Sequence, residues 1–114
     1  MKILKKLVFV FILFSTTIFV GCKKDNVYSY QVSGTANNYD VTIEASPSGT
    51  AQYSNVVSGW KYTWTQSGQR FLYVSAQNNN DNGTVTVSII KNSKVIATNT
   101  SSGAYVIATV DGTY

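Results

Sequence analysis

From Tyr28 almost to the C-terminus, apolar and polar residues alternate with period two, and no stretch there carries the 3.6-residue period of an amphipathic helix. That pattern admits strands and little else. The runs are Tyr28 to Ser33, Tyr39 to Ala45, Thr50 to Val57, Trp60 to Gln66, Arg70 to Gln77, Thr84 to Lys91, Lys94 to Thr100 and Ala104 to Asp111. Between them lie Ser46-Pro47-Ser48-Gly49, Ser58-Gly59, Ser67-Gly68, Asn78 to Gly83, Asn92-Ser93 and Ser101-Ser102-Gly103, all rich in residues that tolerate positive φ or pre-set a turn. Turns about every ten residues predict hairpins in antiparallel sheets. The expected fold is all-β, an antiparallel, immunoglobulin-like β-sandwich of seven to eight short strands over residues 28–114.

The alternation also predicts which side chains point inward. Val41 and Ile43, then Trp60, Tyr62 and Trp64, then Val85, Val87 and Ile89, then Tyr105 and Ile107 each share one face of a strand. In the last run Ala104, Val106, Ala108 and Val110 make the opposite face apolar too. A strand apolar on both faces is expected to be central or covered on both sides.

Ahead of this domain the composition changes. Lys2, Lys5 and Lys6 precede an apolar run from Leu7 to Val20, the layout of a secretory signal and short for a membrane-spanning helix. Phe19-Val20-Gly21-Cys22 has the form of a lipobox, in which a small residue precedes a cysteine that is acylated before cleavage. The sequence therefore predicts a signal peptide over 1–21, a palmitate-type acyl anchor on Cys22, a tether over 22–27, and a lipid membrane as partner. With Lys23 after the cysteine, the expected address is the outer membrane of a bacterial envelope.

Cleavage removes three of the nine basic residues and leaves six Lys plus Arg against five Asp plus Glu. The basic balance of the full chain thus belongs mostly to the signal. Nucleic acid is not an expected partner, because no Lys/Arg cluster exists beyond Lys23-Lys24. Cys22 is the only cysteine and there is no histidine, which excludes an internal disulfide, a Cys/His zinc site and His-based catalytic pairs. No cofactor is implied.

Several segments together resemble a known family. Tyr30-Gln31-Val32-Ser33-Gly34-Thr35-Ala36, Gly59-Trp60-Lys61-Tyr62-Thr63, and Val74-Ser75-Ala76-Gln77 before an Asn/Asp/Gly turn are similar to segments of the MmpS proteins. So are Val87-Ser88-Ile89, Lys94-Val95-Ile96 and Ser102-Gly103-Ala104-Tyr105. The likeness spans most of residues 28–110. It implies a small membrane-anchored β-sandwich on the outer side of the cytoplasmic membrane, serving as accessory to an RND-type exporter of lipids or siderophores.

Three constellations bear on chemistry. Asp40 and Glu44 share a strand face but lie about 13 Å apart at strand rise, too far to act as an acid and base pair by themselves. The run Asn78 to Gly83 resembles a calcium loop only superficially, since it offers one Asp where such loops need several carboxylates, and it reads better as a hairpin connection. Trp60, Tyr62 and Trp64 could form a flat platform for sugar rings or lipid tails. The preferred expectation is that they fill the core, which needs them, because Phe71 is the only Phe outside the signal.

The resulting expectation is a non-enzymatic, lipid-anchored accessory or binding module of the envelope, with an integral membrane transporter subunit as partner. The alternative is a surface-exposed, adhesin-like lipoprotein that binds glycans or another ligand.

Overall fold

The two-residue turn Asn92-Ser93, with φ of 50° and 68°, has positive φ at both central positions, as a type I′ hairpin requires. It joins two of eight strands in the computed structural model, which describes residues 25–114. The signal region, Cys22 and Lys23-Lys24 lie outside the described residues. The strands are β1 (Asn26–Ser33), β2 (Tyr39–Glu44), β3 (Thr50–Val56), β4 (Trp60–Gln66), β5 (Phe71–Asn78), β6 (Thr84–Lys91), β7 (Lys94–Ser102) and β8 (Ile107–Thr113). They form two four-stranded antiparallel sheets in the orders β4-β1-β6-β7 and β3-β2-β5-β8, giving the expected all-β sandwich. The first strand pairs with the fourth and sixth, whereas a constant-type immunoglobulin domain pairs its first with its second.

Only β2–β3 and β6–β7 are hairpins; every other connection crosses from one sheet to the other. Asn78 to Gly83, expected as a hairpin connection, instead carries the chain between β5 and β6 in different sheets. The reason is visible at Asn78, whose fully buried amide donates to the carbonyls of Asn82 (2.8 Å) and Gly103 (3.0 Å) and accepts the Asn80 amide (2.8 Å). This side chain ties two inter-sheet loops together. Asn26 and Val27, expected in the tether, belong to β1, where the Val27 amide donates to Asn92 Oδ1 at 2.9 Å and its carbonyl accepts the Asn92 amide at 2.7 Å.

The core lies between the sheets. Val32, Val85, Val87 and Ile89 from one sheet meet Val41, Ile43, Leu72, Val74 and Ala76 from the other, all essentially inaccessible to solvent. The inward sets expected on β2 and β6 are thus observed.

The last strand differs from expectation on two counts. Tyr105 and Ile107, expected inward, are 57% and 56% exposed, and Ala108 and Val110 point inward instead. β8 begins at Ile107, because the preceding residues form a turn in which Tyr105 takes φ 55°. From there the β5–β8 register sets Ala108 opposite Ala76 and Val110 opposite Val74, both core positions. Nor is β8 central: it is an edge strand.

The two flanks of the sandwich are unlike. On one, Asn99 Nδ2 donates to the Thr109 carbonyl (3.2 Å) and Ser101 Oγ to the Ile107 carbonyl (2.8 Å), so side chains of edge β7 cap the outward carbonyls of edge β8. On the other, β3 and β4 meet through the Tyr53 and Trp60 rings (5.1 Å), and the Ser46 amide of the β2–β3 loop donates to the Tyr62 hydroxyl (3.4 Å). No backbone hydrogen bond links β3 to β4 among the described residues.

Candidate functional site

Period two places Trp60, Tyr62 and Trp64 on one face of β4, and the β1–β4 register sets them opposite Val32, Tyr30 and Tyr28. That face looks into the sandwich. Trp64 is 8% exposed, 4.5 Å from the Tyr30 ring and 5.8 Å from that of Tyr28. Its indole N–H donates to Gln66 Oε1 at 2.9 Å, and Gln66 in turn donates to the Gly68 and Tyr114 carbonyls. Every polar atom of this corner is therefore used internally. Trp60 and Tyr62 are half-buried and packed against the core. The three side chains form the aromatic wall of one flank, with their partly exposed edges at the β3–β4 opening, and not an open platform.

The carboxylates hold backbone. Asp40 Oδ1 accepts the Asn55 amide (3.1 Å), where β3 adopts positive φ beside a bulge in the β2–β3 register. Glu44 Oε1 accepts the Gly49 amide (3.0 Å) and so closes the β2–β3 hairpin. Among the described residues no three His, Cys, Asp or Glu side chains gather as a metal cluster would require. Cys22, the expected lipidation site, lies outside the described residues.

The outer face of the β3-β2-β5-β8 sheet carries a feature that strand-by-strand reading misses. Asp40, Thr42, Gln52, Ser54, Ser75, Gln77 and Ile107 surround a groove of about 270 Å³. Its form follows from the register: Thr42 pairs with both Gln52 and Ser75, and Gln77 with both Asp40 and Ile107. Short side chains thus occupy the central floor and longer ones stand around it. Val41 and Tyr53 also line it, but Val41 is buried in the core and the Tyr53 ring packs on Trp60, so these two contribute main chain.

The two buried tyrosines with perturbed ionisation are structural. Burial raises the pKa of both Tyr30 and Tyr39, partly offset by hydrogen bonds with backbone at Tyr73 and Ala36 respectively. The Tyr39 hydroxyl lies 3.0 Å from the Ala36 carbonyl and 2.9 Å from the Thr84 carbonyl, tying one sheet to the other. No protein-family model matches this sequence, and no curated protein sequence matches it.

Proposed function

We propose that this chain is a non-enzymatic binding module held at a bacterial envelope membrane by acylated Cys22, working as accessory to an RND-type membrane transporter. The anchor rests on the lipobox-like residues and the transporter role on the resemblance to MmpS proteins. The observation that carries a binding role is the asymmetry of the flanks. Side chains of β7 cap carbonyls of β8, whereas β3 and β4 leave unpaired edges beside half-buried Tyr53, Trp60 and Tyr62. An unpaired edge is a template for a partner strand, and half-exposed aromatic rings add the apolar contact that such pairing needs.

The tether gives the module a direction. β1 starts four positions after Cys22, at the end of the sandwich formed by the Ala45–Gly49 hairpin, the β4–β5 turn and Asn92-Ser93. Those segments face the bilayer in this reading, while the loops around Asn78 to Gly83 and Gly103 point away from it. In-cell crosslinking tests the partner. Crosslinkers at Thr50, Lys61 and Thr65 on the open flank are expected to capture an integral envelope protein, and crosslinkers at Asn99 and Thr100 are not. Capture of polysaccharide or host material alone from the open flank contradicts the accessory role and favours the adhesin-like alternative.

A further inference from the structure

We infer that the groove on the outer face of the β3-β2-β5-β8 sheet is a binding site for a neutral saccharide. A solvated sheet face is ordinarily covered by long charged side chains, which leave no depression. Here the floor is built from Thr42 and Ser75, and its walls from Asp40, Gln52, Ser54, Gln77 and Ile107. The volume of about 270 Å³ sits near the lower end of small-molecule sites, ~300 Å³, which suits roughly one or two sugar rings.

The chemistry of the lining selects the class. The Thr42 and Ser54 hydroxyls and the Gln52 amide make no hydrogen bond among the described residues, so each offers both a donor and an acceptor. Ser75 Oγ accepts from Thr109 Oγ1 at 3.1 Å, which leaves its own proton free to donate. Gln77 spends one N–H on the Tyr105 carbonyl (3.1 Å), an anchor that fixes its side chain and leaves its carbonyl oxygen to accept. Asp40 is fixed in the same way by the Asn55 amide, and its second oxygen remains available. Fixed amides, hydroxyls and one carboxylate complement vicinal sugar hydroxyls, each of which donates and accepts at once. Ile107, 56% exposed at the rim, offers an apolar flank for the C–H face of a ring.

Charge excludes the anionic relatives of such a ligand. No Lys or Arg lines the groove, and its one carboxylate is Asp40, so a phosphate, sulfate or uronate would meet repulsion with no compensating cation. The site is also separate from the aromatic strand β4, which belongs to the other sheet.

The test is a titration of isotope-labelled full-length protein in detergent micelles, followed by amide NMR. The probes are cellotetraose, maltotetraose, mannotetraose and chitotetraose, with tetragalacturonate as the anionic comparison. At least one neutral probe is expected to give saturable shifts centred on Thr42, Gln52, Ser75 and Gln77. Thr42→Val and Gln52→Ala each remove hydrogen-bonding groups without touching the core, and each should raise Kd roughly three- to tenfold at unchanged melting temperature. Thr65→Val on the opposite sheet should leave Kd as it is. Absence of saturable shifts with all four neutral probes overturns the inference, as does a response centred on β4, indifference to both groove variants, or preference for the anionic probe.

Discussion

The hydroxyl of Tyr30 donates to the carbonyl of Glu44 at 2.9 Å, from one sheet to the other, at the point where the β2–β5 ladder stops. The last pair in that ladder is Ile43 with Val74, so the next would set Glu44 opposite Tyr73. Instead the Tyr73 amide donates to the same Tyr30 hydroxyl at 3.2 Å. Arg70 Nη2 then takes the Ala45 carbonyl at 2.8 Å. A side chain from the facing sheet thus satisfies both backbone groups that the parting strands leave open.

Tyr30→Phe keeps the buried ring and removes this bridge. It leaves a carbonyl and an amide unpaired in a site from which Tyr30 excludes water, and each such loss costs about 1–3 kcal/mol. Urea unfolding should show a lower midpoint with an unchanged slope. An unchanged midpoint means that the hydroxyl is not holding the sheets together.

Alkaline pH should weaken the fold through Tyr30 and Tyr39. Burial raises both pKa values above the ordinary 10.0, so above that pH the unfolded chain gives up these protons before the folded one does. Their contribution is complete below pH 10 and is lost as pH rises through the folded-state values. Stability measured between pH 8 and pH 12 should stay flat to about 10 and then fall, and Tyr39→Phe should make the fall shallower. A decline that begins well below pH 10 would point to other groups.

Within the aromatic wall, burial ranks the residues. Trp64→Ala should cost about 3–5 kcal/mol, as for a large buried aromatic, enough to unfold a domain of this size. Trp60→Ala, at the half-exposed end of the same face, should cost about 2 kcal/mol. Calorimetry that finds the two equal, or Trp60 the costlier, contradicts the arrangement of β4 described above.

Most of the strands were legible from sequence because period-two alternation is a local property, and β2, β4 and β6 lie where it puts them. β8 was not, because Ala104 to Val110 is apolar at both parities and only pairing with Val74 and Ala76 decides which face turns inward. Asn78 to Gly83 has the composition of a hairpin turn, yet the Asn78 bond to Gly103 depends on a loop 25 residues away. For Trp60, Tyr62 and Trp64 the shared face and its inward direction were legible, but the Tyr28, Tyr30 and Tyr53 rings that meet it were not. The groove was hidden for the same reason. Thr42, Gln52 and Ser75 are ordinary polar positions until the register brings them side by side.

The most direct test of the account as a whole is the intact mass of the protein extracted from bacterial membranes, with its N-terminal peptide. The expected result is a chain that begins at Cys22 and carries acyl chains there, and a Cys22→Ala variant that is neither acylated nor processed at that site. A membrane-associated chain that retains residues 1–21, or a mature chain with an unmodified Cys22, contradicts it.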